Sequence, residues 1–168
     1  MKVVCETQRL IIRQFNLGDT DFIIQLLNDK TFIRFISDKN VRTQEDAVTY
    51  LTNGPISGYQ TQGFGLNLVQ LKGEKTPIGM CGLLKRAELD YPDLGYAFLP
   101  EFCGKGYATE AAESVLKETM ASYSLNTVLA VTYADNLSSN RLLVNVGFSL
   151  EGTIELYGSP NNLYQYRG

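Results

Sequence analysis

Two glycines carry the first chemical signal in the chain. In Phe102-Cys103-Gly104-Lys105-Gly106-Tyr107-Ala108-Thr109-Glu110-Ala111-Ala112-Glu113, Gly104 and Gly106 let the backbone come close to a ligand, and the residues after them read as a helix. Small or apolar residues fall at Ala108, Ala111, Ala112, Val115, Leu116 and Met120, the spacing of one helical face, while Glu110, Glu113, Lys117 and Glu118 take the other. This spacing predicts a helix that starts near Gly106. The unpaired N–H groups of its first turn would lie at the positive end of the helix dipole, a geometry that binds a pyrophosphate.

Two familiar anion-binding loops do not describe the stretch. A Walker loop needs widely spaced glycines followed by Lys-Ser or Lys-Thr, whereas Lys105 lies between the glycines. A dinucleotide fingerprint wants a third small residue where Thr109 stands, and an acid about 20 residues further on after a second strand. Without a ligand, the same glycines would serve only as a turn into a helix.

The remaining chemistry is bounded by what is missing. The chain has no histidine, which removes Ser-His-Asp and Cys-His nucleophiles and the commonest transition-metal ligand. A general base must then be a carboxylate, a tyrosine, a cysteine, a lysine or a relayed water. Cys5, Cys81 and Cys103 are odd in number and show no paired spacing, so free thiols are expected, with no disulfide framework and no metal site.

At 168 residues the chain suits one domain spanning 1–168, long enough to bury about two-thirds of its unfolded surface. No apolar run approaches the ~20 residues of a membrane span and no signal-peptide core follows Met1, which points to the cytoplasm and away from a membrane. A net charge of -3 gives no electrostatic footprint for nucleic acid and is compatible with a cationic amine substrate. A monomer or a homodimer is expected.

The elements that must position the loop follow from patterning. Glu6 to Phe15 reads as one strand. Asp19 is placed to cap a helix with Phe22, Ile23, Leu26 and Leu27 on its face, a short apolar segment runs from Phe32 to Ile36, and Thr43 with Asp46 suggests a capping pair for a helix carrying Ala47 and Leu51. Gly54 to Gly58 reads as a turn. Strands are expected over Phe64–Leu71 and Pro77–Leu84 around a turn at Lys72–Lys75, then over the nearly continuous apolar run Leu94–Leu99, which belongs at the sheet centre. After the long helix come a strand at Thr127–Tyr133, a helix capped by Asp135 or Asn136 and closed by Gly147, and a final hairpin of Phe148–Leu156 and Leu163–Tyr166 around Gly158–Asn162.

Residue by residue, Cys103-Gly104-Lys105-Gly106-Tyr107-Ala108 resembles the Gln/Arg-x-x-Gly-x-Gly/Ala loop with which the GNAT superfamily of N-acetyltransferases holds acyl-CoA, and Thr109-Glu110-Ala111 extends the likeness. Cys103 stands where the family most often has Gln or Arg. Three further segments resemble the family in the same order. Glu6 to Arg13 is similar to the opening strand of the branch that includes the ribosomal-protein N-terminal acetyltransferases, Leu94 to Pro100 to the family's central strand, and Asn136 to Phe148 to its fourth motif. The resemblance implies an α/β fold of GNAT type, a mixed and mostly antiparallel sheet with a splayed central strand pair, flanked by helices. It also implies acetyl-CoA as co-substrate.

By the same resemblance, Cys103, Gly104, Lys105, Gly106, Tyr107, Ala108 and Thr109 hold the cofactor's phosphates, backbone groups of Tyr96 and Phe98 pair with the pantetheine arm, and Asn136 contacts it. The hydroxyl of Ser139, with Tyr133 behind it, protonates the leaving thiolate. Asp93 is the first candidate for the base, with Glu88, Asp90 and Glu155 as rivals. The implied acceptor is a primary amine, a protein N-terminus in the branch resembled. The chain departs from that branch at Asn161-Asn162-Leu163-Tyr164, where a His-Asp pair is usual, so a small-molecule amine (an amino acid, a polyamine or an antibiotic) is an alternative. A non-catalytic acyl-CoA-binding module and a nucleotide-binding domain are the readings from other classes.

Overall fold

In the computed structural model, residues 2–168 are described. The chain runs β1 (Val3–Glu6), β2 (Leu10–Gln14), α1 (Thr20–Leu27), α2 (Lys30–Phe35), α3 (Gln44–Leu51), α4 (Ser57–Thr61), β3 (Leu66–Leu71), β4 (Pro77–Leu84), β5 (Asp93–Phe98), α5 (Tyr107–Ser122), β6 (Thr127–Thr132), α6 (Leu137–Val146), β7 (Ser149–Leu156) and β8 (Ser159–Arg167). Eight strands form one sheet in the order β1-β2-β3-β4-β5-β6-β8-β7. Every pairing is antiparallel except β5 with β6, which is parallel. Among the described residues, no helix is long and apolar enough to cross a membrane.

Side-chain alternation along the strands divides the core between the two faces of the sheet. On one face Ile12, Val69, Leu83 and Val128 pack against Ala111, Ala112, Val115 and Leu116 of α5 and Leu143 of α6. On the other, Leu66, Leu68 and Met80 pack against Phe22, Ile23 and Leu26 of α1, Phe32 of α2 and Ala47 and Leu51 of α3. The small residues Ala111 and Ala112 bring the start of α5 close to the sheet, and the larger Val115 and Leu116 fill the space behind them, each worth about 1.5–3 kcal/mol of burial. Together they hold the start of α5 against the sheet.

Four local expectations are revised. Glu6 to Phe15 is a hairpin, not one strand: Thr7 and Leu10 close a tight turn through Thr7 N–H to Leu10 O (2.9 Å) and Leu10 N–H to Thr7 Oγ1 (3.0 Å). Gly54 to Gly58 is not a turn, because the chain continues from α3 into α4 through a wide helical turn, Thr52–Ile56, that accommodates Pro55 and its missing N–H. Asp19 does not cap α1, since its carboxylate is drawn to Arg13 in a buried ion pair (2.8 Å). The last hairpin turns tightly at Tyr157-Gly158, both at positive φ, so Asn161 and Asn162 lie inside β8.

Candidate active site

The loop end of the candidate site is built almost wholly from backbone. β5 leads into a tight helical turn at Pro100–Phe102, the chain reverses through Gly104 and Gly106 at φ +78° and +84°, and α5 begins. Other residues are strained at such angles, which is why glycine recurs here. Gly106 brings no side-chain cap, and the N–H groups of Tyr107, Ala108 and Thr109 meet no protein acceptor among the described residues. A row of free donors at the positive end of a 16-residue helix, with open space where a Gly104 side chain would begin, fits a pyrophosphate.

The β1–β2 turn clamps this loop from the side. Arg9 donates from Nη1 to the Lys105 carbonyl (3.0 Å) and from Nε to Glu110 (2.8 Å), and its guanidinium lies 4.3 Å from the Tyr107 ring centre. Thr7 donates to Glu110 as well. Desolvation alone would raise the Glu110 pKa, but the bonds from Thr7 and Arg9 outweigh it and hold the carboxyl below its ordinary value. The Cys103 thiol folds back toward the Leu99 carbonyl (3.6 Å), so this residue joins the loop through its backbone rather than its side chain.

From the loop a slot runs along β5. The parallel pairing of β5 with β6 is registered only at Asp93 with Leu129, and no pairing continues beyond it. β5 keeps its full ladder to β4, and Leu99 N–H donates to Ile78 O (2.9 Å). Alternation then directs the peptide groups of Gly95, Ala97 and Leu99 toward β4 and those of Tyr96 and Phe98 into the gap. Backbone donors and acceptors facing a slot suit an amide-bearing arm.

The slot adjoins a cavity of about 490 Å³. Of the residues singled out from sequence, Asp93, Tyr96, Tyr133, Asn136 and Ser139 line it, whereas Phe98 and residues 103–109 do not. Ser139, in the first turn of α6, is buried and shares a 2.5 Å hydrogen bond with the Tyr96 hydroxyl. Burial pushes the Tyr96 phenol well above its ordinary value and the bond to Ser139 offsets only part, so its proton stays on at neutral pH. Asn136 caps α6 by accepting the Ser139 N–H at Oδ1 (3.3 Å), which fixes the serine in place.

Asp93 is 1% exposed and accepts from Arg86 Nε (3.0 Å) and Nη2 (2.7 Å). Burial raises its pKa against the opposing pull of Arg86. With both oxygens engaged, the carboxylate suits anchoring a guanidinium better than abstracting a proton. Glu88, Asp90 and Glu155 do not line the cavity. Sequence reasoning does not single out Arg86, Lys39 or the Tyr96 hydroxyl, all of which face it. The one available signal for Arg86 was an opposite charge seven residues away across a polar loop.

Residues 9–149 match the family model of the acetyltransferase (GNAT) domain. The chain belongs to the GNAT acetyltransferase family. It is an acyltransferase, as are its named relatives. The uncharacterized N-acetyltransferase YoaA of Bacillus subtilis (strain 168) is 27% identical over 159 residues, 94% of this chain and 89% of YoaA. Among solved structures, this GNAT chain is similar to RimL, a ribosomal L7/L12 alpha-N-protein acetyltransferase in complex with coenzyme A, with a TM-score of 0.82 and 16% identity over 99% of this chain and 98% of that one. It is also similar to the microcin C7 self-immunity acetyltransferase MccE in complex with acetyl-CoA and AMP, with a TM-score of 0.80 and 20% identity over 96% and 93% of the two chains. At these identities the likeness is one of fold, and it bears out the mixed, mostly antiparallel sheet flanked by helices.

Proposed function

We propose that this GNAT acetyltransferase moves an acetyl group from acetyl-CoA directly to a primary amine. The observation that carries the reading is the continuity of three features: the unpaired N–H row at Gly106, the unpaired peptide groups of Tyr96 and Phe98, and the buried Ser139–Tyr96 hydroxyl pair in the adjoining cavity. They match, in order, the phosphates, the amide-bearing arm and the reacting thioester of the donor.

In this mechanism the amine nitrogen attacks the acetyl carbonyl carbon, a C–N bond forms and the C–S bond breaks. An N–H directed into the slot from β5 stabilises the charge that develops on the carbonyl oxygen. Ser139 donates its proton to the leaving thiolate, and the Tyr96 hydroxyl, bonded to Ser139, passes a proton from cavity water back to it, so that both hydroxyls end protonated. The proton lost by the amine passes to solvent through the cavity. For an amine with a pKa of about 8, roughly a tenth is neutral at pH 7, a cost near 1.4 kcal/mol, whereas a lysine amine near 10.4 faces about 4.6 kcal/mol. A low-pKa amine therefore needs no dedicated carboxylate, in keeping with the engagement of Asp93 by Arg86. Of the two neighbours, one is named as a ribosomal L7/L12 alpha-N-protein acetyltransferase and the other for microcin C7 self immunity, so the acceptor is assigned here only as a primary amine.

Parallel calorimetric titrations with acetyl-CoA, NAD and ATP test the donor. Micromolar affinity for acetyl-CoA alone, with thiol release on adding an amine, is the expected result. Binding of acetyl-CoA with no transfer to any amine would instead favour an acyl-CoA-binding module, and preference for NAD or ATP would remove the loop from acyl-CoA recognition.

A further inference from the structure

The acceptor side of the cavity has an unbalanced charge. Its charged lining residues are Lys39, Arg86 and Asp93. Asp93 is committed to Arg86 through both oxygens, and Lys39 has no ion-pair partner among the described residues. The neighbouring carboxylate of Asp38 is taken by Arg42 at 2.7 Å. Lys39, exposed at the rim of the cavity, therefore stands near Arg86 as a like charge, and partial desolvation with that repulsion draws its pKa down. One positive charge is left over at the wall of a cavity whose other lining includes Phe35, Tyr50 and Leu84. The net charge of -3 on the whole chain is thus not the charge an acceptor meets.

We infer that the acceptor amine belongs to a molecule that also carries a carboxylate, held by Lys39 with Arg86 behind it, and an apolar group set against Phe35, Tyr50 and Leu84. The inference rests on the amine-acetylation reading and narrows it. A polyamine would bring more positive charge to a site already in excess, whereas a carboxylate cancels the excess and gains a charge-assisted hydrogen bond. A free amino acid supplies the carboxylate on the same carbon as the amine. A peptide supplies it from an acidic side chain next to its N-terminal residue.

The test is a thiol-release assay on matched acceptors: L-phenylalanine against L-phenylalaninamide, the peptide amide Ser-Asp-Ala-Ala against Ser-Asn-Ala-Ala, and spermidine. In at least one matched pair the carboxylate should be preferred by about tenfold or more in kcat/KM. Which pair shows it identifies the source. The preference should fall to about twofold or less in Lys39→Met and reverse in Lys39→Glu, with acetyl-CoA affinity reporting that both variants are folded. Equal or better use of the neutral acceptors or of spermidine would overturn the inference, as would a preference that survives Lys39→Met. Calorimetry with N-acetyl-L-phenylalanine, its amide and the acetylated peptide pair, in the presence of coenzyme A, judges the carboxylate without turnover. Tighter binding of an acid than of its neutral match supports the inference, and equal affinity in both pairs sinks it. Failure of the enzyme reading would show separately, as absent acetyl-CoA binding.

Discussion

The loop at Gly104–Thr109 and the cavity beside Arg86 are built on opposite plans. The loop offers peptide N–H groups and a helix dipole, and its two glycines matter because they carry no side chain. The cavity is defined by side chains that converge from distant segments: Lys39 between α2 and α3, Arg86 and Asp93 from either end of the β4–β5 connection, Ser139 from α6. Backbone recognition suits a ligand part that never changes, whereas side chains can be exchanged one at a time to suit different acceptors.

The contrast breaks most visibly at Gly106. Gly106→Glu places a carboxylate where phosphate should sit and forces a side chain into φ +84°, with Arg9 Nη2 3.3 Å from the new Cβ. Acetyl-CoA affinity should fall roughly 10²- to 10³-fold by calorimetry, since helix-terminus charge and left-handed strain both oppose binding. A folded variant with wild-type affinity would take the loop out of the site.

In the cavity, Ser139→Ala should lower kcat by roughly 10²-fold while acetyl-CoA affinity stays within a factor of a few, the pattern of a lost proton donor. Tyr96→Phe should fall in the same direction by a smaller factor. If affinity and kcat fell together, the pair would be a packing feature of the slot.

Asp93→Asn sharpens the contrast in stability. Arg86 would lose its charged partner, and because its side chain is 25% exposed the cost should be about 2 kcal/mol in denaturant unfolding, below the 3–5 kcal/mol of a fully buried pair. The double variant Asp93→Asn/Arg86→Gln should recover part of it. Were Asp93 the base, the acid limb of the kcat profile would vanish in the single variant and the double variant would restore no activity.

The smallest effect is expected at the clamp. Glu110→Gln should cost about 0.5 kcal/mol at neutral pH, the scale of a partly exposed ion pair. The Glu110 carboxyl is held below its ordinary value of 4.5, so its contribution is present above that value and is lost as the pH falls through the lower folded value. Melting curves of wild type and variant should therefore converge in acid.

How far the chain could be read depended on whether a signal was local. The α5 face, the capping box at Thr43–Asp46, the α6 cap at Asn136 and the central placement of β5 follow from spacing and residue type, and the structure has all of them. The β1–β2 hairpin carries no Gly, Pro, Asn or Asp to mark its turn, which Thr7 makes by closing on Leu10. Asp19 has the sequence position of a cap, but an Asp before a helix looks the same whether or not an arginine from a neighbouring strand claims it.

By itself the amino-acid sequence determined the loop end of the candidate site: glycines that take positive φ without strain, followed by a helix whose apolar face must be buried, leave free N–H groups at one predictable place. Only the tertiary structure decided the cavity beside Arg86. Whether Asp93 is a free base or the partner of Arg86, and whether Lys39 has a counter-ion, depends on which charges the fold brings within a few ångströms of one another. Coulomb energy follows that distance and the local exposure, and neither is written in residue order.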